Sequence, residues 1–220
     1  MSGTGQRHQF YGRRKGHALR PHHLQLMEES LPELRFDGAS LKSPAWLEIG
    51  FGGGEHLAHQ AKIHPDVDFI GAEPFLNGVA KLLALIEEKQ LANIRIHDGD
   101  ARYLLEALPG ASLQRIYLLY PDPWPKARQK KRRFVNTETV AQFHRLLEPG
   151  GLFLFASDIE DYGDWTREHI AAHGGFTVEG DPSQPFENWL QTRYEAKARR
   201  EGRVPAYLTF RPLAPDRPDS

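Results

Sequence analysis

The sequence predicts an α/β fold: a doubly wound, mostly parallel sheet with helices on both faces and an antiparallel edge strand. Short apolar runs alternate along the chain with longer segments of helical periodicity, which is typical of strand–helix–strand units. The runs are continuously apolar, as in strands that helices cover on both faces. With 220 residues the chain is long enough for one sizeable core, so we expect a single domain.

The elements are expected in a regular order. Parallel strands are predicted at residues 45–51, 67–73, 93–98, 115–121 and 151–157. Helices are predicted between them at residues 55–63, 76–89, 101–107 and 137–147, the last ending at EPGG. After residue 157 we expect a helix over 161–172, a strand in FTVEGD, a helix in TRYEAKARREG and a final strand in PAYLTFR. These last strands are expected to supply the antiparallel edge.

The two ends of the chain lack this rhythm. Residues 1–40 are basic and histidine-rich with weak periodicity, so they are expected to form a flexible extension. Residues 41–213 are expected to form the domain. Residues 214–220 are polar and proline-containing, which favours a disordered tail.

Charge and cysteine content narrow the function classes. The formal net charge is −1, so any nucleic-acid binding must depend on local patches and not on an overall basic field. The chain has no cysteine, which excludes disulfides, thiolate metal sites and a cysteine nucleophile. No apolar run is long enough for a secretory signal or a membrane span, and we expect a cytoplasmic protein. No histidine and carboxylate spacing indicates a metal site.

A glycine-rich turn follows the first predicted strand in LEIGFGGGEHL. Gly50, Gly52, Gly53 and Gly54 would let a ligand lie against the backbone there. A dinucleotide fingerprint would need glycine where the chain has Glu55, and a P-loop would need Lys followed by Ser or Thr. We therefore expect a nucleoside without a pyrophosphate.

Carboxylates follow the next strands. Glu73 ends the second strand, where it could accept hydrogen bonds from ribose hydroxyls. Asp100 follows the third strand, where it could accept a hydrogen bond from an adenine amino group. S-adenosylmethionine fits this set, because it has no pyrophosphate and its cationic sulfonium favours an acidic wall such as Glu48. Each residue alone could instead be a turn or a helix cap, and a nicotinamide cofactor is the weaker alternative.

The segment LYPDPWPKARQKKRRF begins at the carboxyl end of the fourth strand, so Asp122 should face the same crevice as the glycine turn. Pro121, Pro123 and Pro125 stiffen the loop, and Trp124 offers a flat face for stacking. Cations then follow at Lys126, Arg128, Lys130, Lys131, Arg132 and Arg133, and a second basic segment contains Arg13, Arg14 and Lys15. This density favours contact with a polyanion, although most charge runs are solvated helix faces.

PDPWPKARQKKRR closely resembles the most distinctive motif of the bacterial tRNA (guanine-N7)-methyltransferases. LEIGFGGGEHL, FIGAEPF, ASDIEDY and TRYE resemble the other motifs of that family in the same order, so the resemblance extends from Arg13 to Phe210. It implies the Rossmann-like fold of class I S-adenosylmethionine-dependent methyltransferases. It also implies that the substrate is a guanine in the variable loop of tRNA, at position 46.

The resemblance assigns roles position by position. Residues matching methyl-donor positions are Glu48, Glu73, Asp100 and Asp122, and Asp122 also matches the catalytic position. Residues matching substrate positions are Lys126, Asp158, Thr192, Arg193, Tyr194 and Glu195. The RNA-contacting segment matches Arg128, Gln129, Lys130, Lys131, Arg132 and Arg133.

Guanine N7 has a free lone pair at neutral pH, so this chemistry needs alignment more than a strong base. The interpretation is that Asp122 orients the guanine and offsets its new charge, while Asp158 and Glu195 accept further hydrogen bonds. Thr192 is also well placed to cap the last helix instead. Two alternatives stay open: a methyltransferase of the same fold acting on a small molecule, and an RNA-binding module with a vestigial donor pocket.

Overall fold

The computed structural model describes residues 8–38, 41 and 44–213. Its strands are β1 Ala45–Ile49, β2 Asp68–Ala72, β3 Ile94–His97, β4 Leu113–Leu119, β5 Leu147–Ser157, β6 Phe176–Glu179 and β7 Ala206–Pro212. Its α-helices are α1 Pro21–Glu29, α2 Leu31–Leu34, α3 Glu55–Ile63, α4 Leu76–Lys89, α5 Ala101–Ala107, α6 Thr137–Leu146, α7 Glu160–His173 and α8 Arg193–Arg200. A 3₁₀-helix, here called η1, covers Ala127–Arg132.

The strands form one sheet of seven in the order β3-β2-β1-β4-β5-β7-β6. Strands β1 to β5 are all parallel to one another, whereas β7 is antiparallel to both β5 and the edge strand β6. The predicted doubly wound, mostly parallel sheet is therefore confirmed, with its antiparallel strand next to the edge. Strand order reverses between β1 and β4, and such a reversal opens a ligand crevice at the carboxyl ends of the strands.

Two hydrophobic clusters cover the two faces of the sheet. One contains Leu104 of α5, Phe143 of α6 and Tyr162 of α7. The other contains Leu57 of α3 and Leu82 of α4. Because both faces are buried in this way, the strands need apolar side chains at successive positions, as the sequence shows.

The predicted extension over residues 1–40 contains helical structure that weak periodicity had not indicated. Pro21 begins α1 at a position that needs no N–H donor, and Leu26 and Leu31 are buried in the core. Helix α1 packs against α4. Residues 1–7 and the predicted tail at 214–220 lie outside the described residues, so the flexibility expected for both stays a prediction.

Strand β5 begins earlier than predicted. EPGG was expected to end a helix, but it lies inside β5, since Leu147 already pairs with Leu113. The register then shifts, and Leu152 pairs with Arg115. A bulge of this kind lets a strand accommodate proline and a glycine with a φ of 87° at Gly150. No helix in the described ranges is both long and apolar enough to span a membrane.

Candidate active site

The glycine-rich turn connects β1 to α3 in a conformation that needs glycine. Gly50, Gly52 and Gly54 have φ values of 71°, 58° and 78°, which other residues rarely adopt. The amide of Gly52 donates to Oε2 of Glu73 at 2.8 Å. A Cβ atom at Gly50 would meet nothing within 4 Å, so its backbone faces open space. The turn is therefore held by Glu73 on one side, and its backbone is open to a ligand at Gly50.

Helix α4 approaches this turn very closely at Gly78. A Cβ atom there would lie 2.2 Å from the carbonyl oxygen of Gly52. Glycine inside a helix normally costs about 0.5 to 1 kcal/mol relative to alanine, so its presence needs a packing reason. Sequence reasoning did not single out this residue, although a lone glycine within the apolar helix LNGVAKLLALIEEK was a detectable signal.

Glu73 lies at the end of β2 and is buried. Its other oxygen, Oε1, accepts from the amide of Phe75 at 2.9 Å. Burial raises the pKa of Glu73, and the charges of Asp122 and Glu48 raise it further against the two amide hydrogen bonds. The carboxylate keeps unused lone pairs for ribose hydroxyls, and its predicted role in binding them stays a prediction.

Glu48 points inward from β1 and is paired with a residue that sequence reasoning missed. Nδ1 of His56 lies 2.7 Å from Oε2 of Glu48, and both side chains are buried. His56 is on the first turn of α3, directly after the glycine turn. Its ring is also 5.1 Å from that of Trp189. The histidine thus fixes the orientation of Glu48 at the wall of the crevice.

Asp100 has a structural role of its own, because it caps α5. Its Oδ1 accepts from the amide of Arg102 at 3.0 Å and from Nε of the same residue at 3.0 Å. Burial opposes ionisation, but the hydrogen bonds and charge of Arg102 outweigh it and lower the pKa of Asp100. To contact adenine, as the sequence predicted, Asp100 would have to accept a further hydrogen bond while it stays paired with Arg102. That contact stays a prediction.

Asp122 follows β4 in a loop with an unusual backbone. Tyr120 and Trp124 on either side have φ values of 49° and 41°, which only glycine adopts without strain. The carboxylate of Asp122 is exposed, and its charge contributes to the raised pKa of Glu73. The predicted catalytic and donor-side carboxylates therefore share one edge of the sheet.

The TRYE segment lies across the glycine turn. Arg193 forms an ion pair with Glu55 at 2.8 Å, and a Cβ atom at Gly52 would lie 3.7 Å from the ring of Tyr194. Partial burial, then the charges of Glu73 and Asp122, raises the pKa of the Tyr194 hydroxyl. The fold thus brings the predicted substrate segment against the predicted donor site, which are more than a hundred residues apart.

Three further predicted substrate residues are engaged within the protein. Thr192 caps α8 by accepting from the amide of Glu195 at 3.1 Å, so its capping alternative is realised. The buried carboxylate of Glu195 accepts from Nε1 of Trp189 at 2.6 Å and Nε of Arg199 at 2.8 Å. Asp158, after β5, is paired with Arg203.

The basic run is divided by its surroundings. Lys126, Arg128 and Lys131 are exposed. Lys130 donates to Oδ1 of Asp161 at 2.6 Å. The guanidinium carbon of Arg132 lies 4.6 Å from the ring centre of Tyr11 and 4.9 Å from that of Trp124. One face of Trp124 is therefore covered, which limits the base stacking that was expected there. Gln129 is half-buried.

Arg133 departs from the prediction of an RNA contact. Its side chain is fully buried, and its guanidinium donates to the carbonyl oxygens of Pro123 at 2.9 Å and Asp161 at 3.0 Å and to the carboxylate of Asp161. No part of the guanidinium is left at the surface for a phosphate. We therefore correct the predicted RNA-contacting set by removing Arg133.

The second basic segment lines a cavity of about 890 Å³ beside the start of α4. The segment is attached there by three hydrogen bonds: from the amide of Gly16 to Oδ1 of Asn77 at 2.8 Å, from Nδ2 of Asn77 to the carbonyl of His17 at 2.7 Å, and from the amide of Leu76 to the carbonyl of Arg14 at 2.9 Å. The cationic and histidine side chains around this cavity are those of Arg13, Lys15, His17, Arg20, His23 and Lys81.

Comparisons with known proteins agree with this geometry. The Methyltransf_4 family, described as "Putative methyltransferase", matches residues 42–207. The chain is similar to the 16S rRNA methyltransferase KamB at 17% identity, with a TM-score of 0.58 over 84% of this chain and 92% of that one. It is similar to the aminoglycoside resistance methyltransferase NpmB1 at 17% identity, with a TM-score of 0.56 over 79% and 89%. These likenesses confirm the class I methyltransferase fold.

Sequence relatives are much closer. The tRNA (guanine-N(7)-)-methyltransferase of Agrobacterium fabrum is 52% identical, covering 91% of this chain and 94% of the relative. That of Rhizobium meliloti is 51% identical, covering 92% and 94%. That of Ruegeria sp. is 48% identical, covering 91% and 86%. Nearly the whole length of each protein is matched, and the chain therefore belongs to the family of the tRNA (guanine-N(7)-)-methyltransferases.

Proposed function

We propose that the protein transfers the methyl group of S-adenosylmethionine to N7 of a guanine in tRNA, in the variable loop at position 46. The observation that supports this most directly is the meeting of two sets of residues at one sheet edge. Glu73 and the glycine turn supply a nucleoside site, and Asp122 lies close enough for its charge to act on Glu73. Relatives of this name share about half of the sequence.

The residues present fit the methyl donor. Glu73 and the open backbone of Gly50 suit the adenosine, and the buried carboxylate of Glu48 suits the cationic end. The space beside the turn is small, about 30 Å³, because Arg193 and Tyr194 line it. Both side chains are 60% exposed, so we infer that they turn outward when the donor enters.

The reaction needs no proton removed from N7. Its lone pair forms the new N–C bond while the S–C bond of the donor breaks, and the positive charge passes from sulfur to the purine. Asp122, fixed at the crevice, offsets the arriving charge and accepts from N–H groups of the guanine, which aligns N7 with the methyl group. Asp158 and Glu195 are the proposed additional acceptors, once their arginine partners turn to the phosphates of the RNA.

The tRNA backbone would be held on two cationic surfaces. One consists of the exposed residues Lys126, Arg128 and Lys131 around η1. The other is the cavity lined by Arg13 and Lys15, where no described carboxylate forms an ion pair with either. Tyr11, stacked on Arg132, connects the two surfaces. Unpaired cations can exchange bound counterions for phosphates, which favours binding of a polyanion.

The test is to incubate the protein with methyl-labelled S-adenosylmethionine and an unmodified tRNA transcript. We expect label in N7-methylguanine after nuclease digestion, and chain cleavage at the modified base should place it in the variable loop. A transcript with adenine at that position is the matched control and should stay unlabelled. Donor binding with no transfer to any tRNA would favour an RNA-binding module, and transfer only to small molecules would favour the other alternative.

A further inference from the structure

We propose that Arg133 is a positioning residue that joins the loop bearing Asp122 to the start of α7 and so sets Asp122 relative to Asp158. The inference rests on the proposed function, because it concerns the alignment of that same site. It differs from a role in RNA binding, which the basic surroundings of Arg133 in the sequence indicate. The two roles require opposite solvent exposure of the guanidinium. A phosphate contact needs an exposed group, whereas a connection between two loops needs a buried one.

The first end of this connection is the proline loop. Nε of Arg133 donates to the carbonyl oxygen of Pro123 at 2.9 Å. Prolines at 121, 123 and 125 have no N–H group, so the loop has few donors with which to stabilise itself. Within the described chain, no backbone–backbone hydrogen bond involves residues 121–125. A donor from outside the loop is therefore needed to hold it, and Arg133 is that donor.

The second end is the first turn of α7. Nη1 of Arg133 donates to the carbonyl oxygen of Asp161 at 3.0 Å, and Nη2 donates to the carboxylate of the same residue. The guanidinium carbon lies 4.7 Å from the ring centre of Tyr162 and 5.3 Å from that of Trp165. The planar group is thus enclosed by two rings and three acceptor atoms, an arrangement that a lysine ammonium cannot reproduce.

The connection crosses two neighbouring strands of the sheet. The loop with Asp122 follows β4, and the segment from Asp158 to Asp161 follows β5, which pairs with β4. Asp122 and Asp158 each lie just beyond a strand end, but the strands do not determine how the loops that carry them are oriented. The guanidinium of Arg133 determines this orientation, because it donates hydrogen bonds to both loops. Moving either loop by an ångström could cost about a hundredfold in rate.

The experiment compares three variants in single-turnover methylation at saturating donor and tRNA. Arg133→Lys should lower the rate about 10- to 100-fold, while the affinity for tRNA and its salt dependence stay those of the unchanged protein. Lys131→Ala, a neighbouring exposed cation, should make the salt dependence shallower. Arg167→Lys, the same substitution in an exposed ion pair on α7, should leave every quantity unchanged.

A second variant tests the same connection in case Arg133→Lys does not fold. Asp161→Asn alters the other end of the connection at a side chain that is 52% exposed, so the fold should tolerate it. We expect a rate loss of the same kind, and the double variant should be no slower than the worse single variant, because both remove one connection.

Hydrogen exchange at the amide of Phe134, which donates to the hydroxyl of Tyr162 on α7 at 3.0 Å, provides a readout that does not depend on catalysis. This amide should exchange faster in Arg133→Lys than in the unchanged protein, because the neighbouring connection to α7 is weakened. An unchanged protein that makes no N7-methylguanine refutes the proposed function but leaves this exchange test intact. Unaltered rate and exchange in Arg133→Lys, or a salt dependence as shallow as that of Lys131→Ala, would overturn the inference itself.

Discussion

The donor half and the substrate half of the crevice are built differently. On the donor half, β1 and β2 present carboxylates that are buried and held by backbone amides or by a buried histidine, as at Glu73 and Glu48. On the substrate half, carboxylates after β5 and on α8 are held by partly exposed arginine side chains, as at Asp158 and Glu195. Asp122 between them is exposed and accepts no hydrogen bond from the described residues.

The difference indicates which half is preformed. Backbone amides and buried pairs cannot be displaced by a ligand without local unfolding, so the donor half should keep its shape when empty. Exposed arginine pairs contribute little stability and can exchange a carboxylate for a phosphate. The substrate half should therefore complete its arrangement when tRNA binds, which would make donor binding insensitive to salt and tRNA binding sensitive to it.

The largest effect is expected at the boundary between the halves. Asp122→Ala should reduce the single-turnover rate about 100- to 1000-fold, because it removes a fixed charge that opposes the charge arriving on the purine. Asp122→Asn keeps a hydrogen-bond acceptor without the charge and should show a smaller loss. Rates are measured at saturating donor and tRNA, and binding of S-adenosylhomocysteine is the control. Full activity of Asp122→Ala with normal donor binding would refute the assigned role.

The next effect tests the rigidity of the donor half. Gly78→Ala places a Cβ atom 2.2 Å from the carbonyl oxygen of Gly52, so the turn must move. Overpacking of this kind costs about 1 to 3 kcal/mol, and donor affinity should fall by one to two orders of magnitude. Calorimetric titration with S-adenosylhomocysteine measures it. Gly163→Ala on α7, where the nearest atom is the end of a flexible arginine at 3.5 Å, is the control and should bind normally.

A smaller effect is expected on the salt dependence of tRNA binding, which should distinguish the substrate half from the donor half. Replacing Arg128 and Lys131 together by alanine should make the log–log salt dependence of tRNA affinity shallower by about 1.4 to 1.8, since each phosphate contact contributes about 0.7 to 0.9. Lys89→Ala, a cation at the far end of α4, should not alter it. Filter binding over a series of salt concentrations gives the slopes. An unchanged slope in the double variant would mean that these cations form only a solvated surface.

The smallest effect concerns pH on the donor half. An exposed glutamate has a pKa of about 4.3. Burial raises the pKa of Glu73 above this ordinary value, so its acid form appears at a higher pH. The ionised form accepts hydrogen bonds from ribose hydroxyls better than the acid form. Affinity for S-adenosylhomocysteine should therefore be highest above this raised pKa and should weaken as the pH falls through it. Titrations from neutral to acidic pH test this, and Glu73→Gln should remove the dependence. Constant affinity of the unchanged protein down to that ordinary value would contradict the prediction.

Local patterns were sufficient for much of the fold and for the positions of the site residues. Apolar runs predicted β1, β2 and β4 to within a few residues, because a strand buried on both faces is apolar at successive positions, whereas the edge strand β3 alternates buried and exposed side chains. Glu73 and Asp122 could be placed at one edge, because the carboxyl ends of parallel strands meet there. Thr192 was correctly recognised as a possible helix cap, since capping depends only on residues three positions apart.

Only the tertiary structure decided which partners these residues have. Arg133 stands among cations in the sequence, yet its guanidinium reaches Asp161, 28 positions away, and is buried. The contact of Gly78 with the glycine turn and the pairing of His56 with Glu48 likewise depend on how α3 and α4 pack on the sheet. The sequence alone determined where β1 to β4 end, the glycine turn and the Thr192 cap, because these depend on neighbouring residues. Burial and long-range pairing arise when distant segments exclude water together, which no local pattern records.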